Sequence, residues 1–216
     1  MGIEKFDIES IPYRIRIGVT GHRKLDDPAA VEALVKNAIE AEVEGLLAGE
    51  SRRNMERVRS AGPAAISFSV VSSLAEGADR AAARAVLSYP DARLEAVLPM
   101  TLEDYLEDFA TEASREEFAE LLSRCDEPVL LRTRSIRDER SDAGGQAELR
   151  KDAYAHAGRY VANHCDALIA VWDGELARDR GGTAEIVHYA LQQNRPVLRV
   201  WEGSFEVLSR GKNAAI

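Results

Sequence analysis

The sequence has only two cysteines, Cys125 and Cys165, and neither belongs to a CxxC pair or to another cluster with metal-ligand spacing. This scarcity argues against a disulfide framework and against a structural zinc site. His156, His164 and His188 fall in predicted helices and also lack metal-ligand spacing, so packed or surface positions are expected for them. We therefore predict reduced cysteines in the core, no metal site and no cofactor.

Long apolar runs are also lacking. No stretch approaches the roughly 18 uninterrupted apolar residues of a membrane span. The first ten residues carry Glu4, Asp7 and Glu9 where a secretory signal would have a basic start and an apolar run. The sequence therefore predicts a cytoplasmic protein that does not enter a membrane.

Basic residues are outnumbered, with 28 Lys and Arg against 37 Asp and Glu and a formal net charge of −9. A negative overall field repels a long polyanion, which disfavours DNA or RNA as a partner. A small phosphorylated ligand remains compatible with this charge, because a local pocket can be positive on an acidic protein.

The rest of the composition, 45% hydrophobic and 30% charged residues, is typical of a globular protein. A chain of 216 residues is long enough to bury a substantial core, and at this length one α/β domain is commoner than two. We therefore predict that residues 1–216 form a single domain.

Apolar periodicity alternates between strand and helix along the chain. Tyr13–Thr20 places Ile15, Ile17 and Val19 on one face with a period of two, which predicts the first strand. The other predicted strands are Ala65–Val71, Leu94–Leu98, Pro128–Leu131, Ala167–Trp172 and Pro196–Trp201. The first predicted helix has Asp26 or Asp27 as its N-cap and Pro28 in its first turn, and it ends near Leu47. The other predicted helices are Gly77–Tyr89, Leu102–Phe109, Ser114–Arg124, Ala147–His164 and Gly182–Gln193. This alternation predicts an α/β protein, a three-layer Rossmann-like fold with a mostly parallel sheet.

Polar stretches predict the connections. Ser51–Gly62 is expected to be an exposed loop, and Arg132–Gly145 has the composition of a mobile lid or loop. The tail beyond Ser204 is expected to pack as a short helix, and Arg210–Ile216 to fray.

The first candidate ligand site is Thr20-Gly21-His22-Arg23, directly after the first strand. Ligands of open α/β sheets bind outside the carboxyl ends of the strands, where this segment falls. Gly21 permits close backbone approach, and His22 and Arg23 suit phosphate or carboxylate oxygens. The alternative is a turn with two solvated polar side chains.

The second candidate is Ser72 to Arg80, between the second strand and a helix start whose free N–H groups favour an anion. Ser73 is a candidate for a phosphate or ribose contact. In the alternative interpretation Ser73 caps the helix and Asp79 interacts with the helix dipole.

The third candidate combines Trp172-Asp173-Gly174 with Gly181-Gly182-Thr183-Ala184-Glu185, after the strand Ala167–Trp172. Paired glycines at a helix start expose backbone donors, and Thr183 adds a hydroxyl, which suits a phosphate or a ribose. A glycine-rich turn before a capped helix is the structural alternative.

Trp172 and Trp201 suit base stacking or the edge of the core. Tyr105 and Asp108 are expected at the surface, with closure over a ligand as the alternative.

Three motifs resemble the SLOG superfamily of Rossmann-like nucleotide-binding proteins: Ile17-Gly-Val-Thr-Gly-His-Arg23, Ser73-Leu-Ala-Glu-Gly-Ala-Asp79 and Gly181-Gly-Thr-Ala-Glu185. The resemblance covers Arg14 to about Trp201. That superfamily includes LOG-type phosphoribohydrolases, DNA-processing protein A and sensor domains of bacterial defence systems. The resemblance implies a pocket with three walls, formed by Gly21, His22 and Arg23, by Ser73, Glu76 and Gly77, and by Gly181, Gly182, Thr183 and Glu185.

The third motif departs from the hydrolase signature Pro-Gly-Gly-x-Gly-Thr-x-x-Glu, because Glu185 follows Thr183 by two residues instead of three. One residue of shift rotates a helical side chain by about 100°. Asp173–Tyr189 is similar to nucleoside deoxyribosyltransferase-like proteins, which keeps an N-glycosidic enzyme with Glu185 or Asp173 as its catalytic carboxylate as the alternative.

The leading hypothesis is therefore a sensor module that binds a nucleotide-derived small molecule and signals to a separate or fused effector. A homo-oligomer is expected from apolar helix faces. A dimerising scaffold with a vestigial pocket is the third hypothesis.

Overall fold

The computed structural model describes residues 13–48, 66–139, 142–175 and 181–210. The predicted loop Ser51–Gly62 and the predicted fraying end after Arg210 lie outside these residues. The described strands are β1 (Tyr13–Gly21), β2 (Ile66–Ser72), β3 (Arg93–Leu98), β4 (Val129–Leu130), β5 (Ala167–Val171), β6 (Pro196–Trp201) and β7 (Ser204–Arg210). The described helices are α1 (Pro28–Ala48), α2 (Ala78–Leu87), α3 (Leu102–Leu106), α4 (Glu112–Leu122), α5 (Ile136–Glu139), α6 (Ala143–Asn163) and α7 (Thr183–Gln192).

The seven strands form one sheet in the order β4-β3-β2-β1-β5-β6-β7. β1 pairs in parallel with β2, from Tyr13 opposite Ile66 to Gly18 opposite Val71, and with β5, from Ile17 opposite Ala167 to Gly21 opposite Val171. The β6–β7 pair is antiparallel, and the other described pairs are parallel. Helices flank this mostly parallel sheet, so the predicted Rossmann-like three-layer α/β fold is confirmed.

The central strands are apolar on both faces because helices cover both. Ile15, Ile17 and Val19 of β1 belong to a core cluster that includes α1 and α2 residues. Leu168 and Ala170 of β5 belong to a second cluster with residues of α6 and α7. Alternate residues of a strand point to opposite faces, so this division gives the sheet two apolar surfaces.

Local signals at the ends of α1 and α6 explain where these helices begin. The Asp27 carboxylate accepts a hydrogen bond from the Ala30 N–H at 2.9 Å, and Pro28 occupies the first turn of α1. Asp142 caps α6 in the same way, with 2.7 Å from its Oδ2 to the Gly145 nitrogen. None of the helices in the described ranges is both long and apolar enough to cross a membrane.

The segment after Ser204 is a strand, so the predicted short helix is wrong. β7 folds back on β6 through Glu202 and Gly203, which have φ angles of 46° and 74°. Positive φ at both central residues defines the tight turn that matches the twist of a two-stranded hairpin. Glu is uncommon at such a position, which explains why the sequence did not reveal the turn.

The predicted loop Arg132–Gly145 is also wrong in part, because it contains α5 and the first turn of α6. Ile136 is fully buried, and its N–H donates to Asp104 Oδ2 at 2.9 Å. Ser135 donates to the other oxygen of the same carboxylate at 3.1 Å. The buried Asp104 carboxylate thus holds this segment in place, although the polar composition of the segment had suggested a mobile loop.

Candidate functional site

A cavity of about 470 Å³ opens at the carboxyl ends of β1 and β5. The chain runs from β1 through β2 and β3 to one edge of the sheet, and β5 resumes on the other side of β1. This reversal of strand order is a topological switch point, where open α/β sheets bind ligands. The polar and aromatic side chains of this switch-point cavity belong to Thr20, His22, Arg23, Ser73, Asp79, Tyr105, Asp108, Tyr154, Trp172, Asp173, Glu175 and Thr183.

The loop after β1 is held between β5 and α2. The His22 N–H donates to the Val171 carbonyl at 3.1 Å, and the His22 carbonyl accepts from the Ala78 N–H at 3.0 Å. A Cβ at Gly21 would lie 2.8 Å from the Val171 Cβ, so only glycine fits this crossing. The close approach places His22 and Arg23 at the cavity.

His22 connects the two central strand ends across the cavity. Its Nε2 accepts a hydrogen bond from the Asp173 N–H at 3.2 Å and lies 3.4 Å from the Asp173 carboxylate. The imidazole also contacts the Trp201 ring edge-on, with centroids 5.2 Å apart. These contacts fix the ring on the β5 side of the cavity.

Arg23 provides the positive charge of the cavity. Its guanidinium lies over the Tyr154 ring, 4.7 Å from the centroid. The structure gives Arg23 no carboxylate partner within ion-pair distance among the described residues. A guanidinium without a paired anion, oriented by an aromatic ring, is suited to bind an anionic group.

The segment between β2 and α2 forms the second wall. Gly77 has a φ of 79° and a ψ of −116°, a conformation that favours glycine, and a Cβ there would clash with the carbonyl oxygens of His22 and Arg23. Leu74 is fully buried at a φ of 57°. Arg80, only 2% exposed, donates to the Leu74 carbonyl at 3.1 Å and to Glu117 at 2.8 Å. The turn is thus held by buried contacts.

Asp79 is a buried carboxyl group in this wall. It is 8% exposed, and its Oδ2 accepts from the Ser72 hydroxyl at 3.0 Å and from the Ala75 N–H at 3.4 Å. Burial raises the pKa of Asp79 from 3.8 to about 6, although the hydrogen bonds and the charge of Arg23 act in the opposite direction. The carboxyl group therefore titrates close to neutral pH.

Tyr105 and Asp108 line the cavity, so the expected surface placement is wrong. Tyr105 is fully buried, and its hydroxyl donates to the Ser73 carbonyl at 3.0 Å. Asp108 pairs with Arg150 at 3.0 Å and accepts a hydrogen bond from the Tyr154 hydroxyl. Burial raises the pKa of Tyr105 and of Asp108. Their position after β3, at the same sheet edge as the other candidates, was the signal in the sequence.

The third wall is the start of α7. Gly181, Gly182, Thr183 and Ala184 border the cavity, and no side chain caps Gly182. The first N–H groups of a helix lack intrahelical partners, so this end can bind an anion. The hydroxyls of Thr183 and Ser73 have no hydrogen-bond partner among the described residues.

The tip of β5 is supported from behind by Arg199 of β6. Arg199 donates to the Trp172 carbonyl at 2.9 Å and to the Asp173 carbonyl at 2.7 Å. It also pairs with Glu206 of β7 at 2.7 Å. The Trp172 indole N–H donates to the Glu175 carbonyl at 2.9 Å, which fixes the ring. Sequence reasoning did not identify Arg199.

The structure brings ten of the fourteen candidate residues to the cavity: Gly21, His22, Arg23, Ser73, Asp79, Trp172, Asp173, Gly181, Gly182 and Thr183. The other four, Glu76, Gly77, Gly174 and Glu185, do not line it.

Each of these four has a different environment. Glu76 accepts a hydrogen bond from the Ser114 hydroxyl, and Gly77 supports the loop after β1. Gly174, at a φ of 92°, packs against the Arg199 guanidinium. The carboxylate of Glu185 accepts from the Gly181 N–H at 2.7 Å and pairs with Arg159 at 2.6 Å.

Four α6 residues border the cavity although sequence reasoning did not select them as site residues, namely Tyr154, Ala157, Gly158 and Val161. They recur at spacings of three and four residues and share a helix face, a pattern that any core-facing helix shows. Within the described ranges, no group of three His, Cys, Asp or Glu side chains is arranged to hold a metal ion.

Fold and cavity together define the class: a Rossmann-like α/β protein with a polar cavity at its topological switch point. No family model matches the chain, and no curated protein matches it.

Proposed function

We propose that the chain binds a nucleotide or a nucleotide-derived small molecule in the switch-point cavity and acts as a sensor module. The observation that carries the proposal is Arg23, which borders the cavity, lies over Tyr154 and pairs with no carboxylate among the described residues. A phosphate group would supply the missing anion.

Size and donor groups support the same ligand class. A cavity of about 470 Å³ falls in the range of small-molecule sites. The start of α7 offers backbone N–H groups, and Ser73 and Thr183 offer hydroxyls without protein partners in the described part of the chain. These groups suit the oxygens of a sugar phosphate.

The carboxylates of the cavity repel an anion to different extents. Asp108 is compensated by Arg150. The positive end of α7 and Arg23 therefore form one part of the cavity where an anion is favoured. Asp79 is the carboxyl group that these contacts leave without an ion-pair partner among the described residues.

A sensor role accounts for the cavity chemistry and for the resemblance to the SLOG superfamily. No serine or threonine hydroxyl of the described lining residues is hydrogen-bonded to a histidine or carboxylate base. Ligand occupancy would then be passed to an effector, separate or fused, or across a homo-oligomer. Occupancy would act through the loop after β1, which contacts both β5 and α2.

The test is a thermal-shift titration with nucleoside mono-, di- and triphosphates, cyclic nucleotides and ADP-ribose. A ligand that binds only the folded protein raises the melting temperature. We expect Arg23→Gln to weaken binding at least about tenfold, since hydrogen bonds to charged groups contribute about 1.5–3 kcal/mol. Lys24→Gln, which removes the same charge from the exposed neighbouring residue outside the cavity, is the matched control. A panel without any shift would refute the proposal.

A second candidate is an enzyme that cleaves the N-glycosidic bond of a nucleoside monophosphate. It is favoured by Asp173, a carboxylate at the cavity wall that could stabilise positive charge on the ribosyl ring. Chromatography of AMP and related nucleotides after incubation would detect free base. Base release abolished by Asp173→Asn would support catalysis at the cavity. Base release abolished by Glu185→Gln but not by Asp173→Asn would assign catalysis to Glu185, whose carboxylate pairs with Arg159.

A further inference from the structure

Asp79 is a buried carboxyl group whose protein contacts are incomplete for an ion. Both hydrogen bonds with resolved distances reach the same oxygen, Oδ2, from Ser72 and Ala75. Among the described residues no arginine, lysine or histidine lies within ion-pair distance of it. At 8% exposure it also borders the cavity, so an occupant of the cavity would meet it directly.

A buried carboxylate without a cation destabilises a protein unless further donors satisfy it. Ser72, Ala75 and the backbone of Ser73 donate to this carboxyl group. Arg23 lies close enough to favour its charge. Burial nevertheless opposes the charge more strongly than these groups favour it, so the protein satisfies the ion only in part. A ligand that presents hydrogen-bond donors would supply what is missing.

Asp79 lies close to the place where a phosphate would bind. The loop that carries Arg23 is hydrogen-bonded to the first residue of α2, Ala78, one residue before Asp79. The charge of Arg23 is near enough to lower the pKa of the Asp79 carboxyl. In a nucleotide, the group next to the phosphate is the sugar, and its hydroxyls are donors.

We propose that Asp79, with the Ser73 hydroxyl of the same cavity, binds the vicinal hydroxyls of a ribose whose phosphate lies at Arg23 and the start of α7. This inference rests on the nucleotide binding proposed above and narrows the ligand to a ribonucleotide with free 2′ and 3′ hydroxyls. Oδ2 already accepts two protein hydrogen bonds, so Oδ1 is the oxygen that would accept from a ribose hydroxyl, with the Ser73 hydroxyl as a second polar group of the cavity. The protonated acid is a poorer acceptor, so the ionised form of Asp79 is the binding form.

The test compares the four 5′-ribonucleoside monophosphates with their 2′-deoxy counterparts by isothermal titration calorimetry. We expect the wild-type protein to bind the ribose form of its preferred base at least about tenfold more tightly. Asp79→Asn should reduce that preference to less than about twofold while leaving binding of the deoxy form nearly unchanged. Asp91→Asn, the matched control, changes an exposed acid outside the cavity where asparagine tolerates the positive φ of 56°.

The outcomes separate this inference from the function on which it rests. Equal binding of ribose and deoxyribose forms by the wild type would overturn the inference and leave nucleotide binding standing. Binding of none of the eight nucleotides would overturn the inference, and nucleotide binding itself would be overturned only if the wider thermal-shift panel also gave no shift. Ser73→Ala is the second variant if Asp79→Asn does not fold, and it should lower the ribose preference by about threefold or more. A full preference retained in the folded variants would also count against the assignment.

Discussion

The guanidinium of Arg23 lies 4.7 Å from the centroid of the Tyr154 ring, which joins the loop after β1 to the middle of α6 across the cavity. The Tyr154 hydroxyl donates to Asp108, and Asp108 in turn pairs with Arg150. The hydroxyl of the ring is therefore held by Asp108, and its face contacts the cation. The loop after β1, the segment after α3 and helix α6 thus each contribute a residue to this chain of contacts around the Arg23 charge.

Replacing Tyr154 tests whether this orientation matters. Tyr154→Leu removes the aromatic face, so binding of the nucleotide identified by the thermal-shift panel should weaken about two- to fivefold, the value of an exposed cation–π contact of about 0.5–1 kcal/mol. Tyr154→Phe keeps the face and loses only the hydrogen bond to Asp108. We expect it to retain nucleotide affinity within about twofold and to lose some thermal stability. An equal loss of affinity in both variants would show that the hydroxyl, and not the ring, orients Arg23.

The raised pKa of the buried Asp79 carboxyl group leads us to expect an unusual dependence of stability on pH. Its folded-state pKa of about 6 lies above the ordinary value of 3.8, so the folded protein holds this proton more tightly than the unfolded chain does. Stability from this group is therefore lost as pH rises from about 4 to about 6. At pH 7.5 Asp79→Asn should be more stable than the wild type, by an amount on the order of 1–3 kcal/mol.

Urea denaturation at pH 4.5 and at pH 7.5 measures this difference. The advantage of Asp79→Asn should shrink toward the lower pH, whereas Asp91→Asn should differ from the wild type by less than about 0.5 kcal/mol at both. A variant less stable than the wild type at pH 7.5 would contradict the burial argument. Gained stability with lost ribose selectivity would identify Asp79 as a residue retained for binding.

Gly77 tests the geometry of the second wall. At a φ of 79° and a ψ of −116°, with the His22 carbonyl in the way of a Cβ, Gly77→Ala should destabilise the protein by about 2 kcal/mol or more and displace the loop that carries Arg23. Gly144→Ala is the control, because its Cβ would meet only Asp142 Oδ2 at 3.7 Å in the first turn of α6. That change should be neutral or stabilising by up to about 1 kcal/mol. Comparable unfolding free energies for the two variants would contradict the prediction.

The sequence was sufficient to predict six of the seven strands and much of the cavity lining, because both follow from one rule. Strand periodicity locates the carboxyl ends of β1, β2 and β5, and the segments that follow them contain Arg23, Ser73 and Asp173. Parallel strands bring these ends to one edge, whatever the details of packing. Ten of the fourteen candidates reached the cavity for this reason.

What the sequence did not predict depends on contacts between distant segments. Tyr154 enters the site because α6 crosses the cavity, and helix periodicity gives only its face and not its neighbour. Glu185 does not line the cavity and pairs with Arg159, 26 residues earlier in the chain. The turn at Glu202 uses a residue that rarely adopts positive φ, so the strand β7 had no local signal.

Arg199 offers a test of support from behind the site, since it touches the backbone of the cavity wall without lining the cavity. Its guanidinium group donates to both the Trp172 and the Asp173 carbonyl, and the single ammonium group of a lysine cannot reproduce this pair of hydrogen bonds. Arg199→Lys should therefore weaken nucleotide binding about three- to tenfold and lower the unfolding free energy by about 1–2 kcal/mol. Arg195→Lys is the matched control, because Arg195 donates to the Asn163 carbonyl at 3.0 Å, at the other end of β6. It should leave nucleotide affinity within about twofold of the wild type. Calorimetric titration of both variants decides the matter, and unchanged affinity in Arg199→Lys would show that the tip of β5 holds its shape without this support.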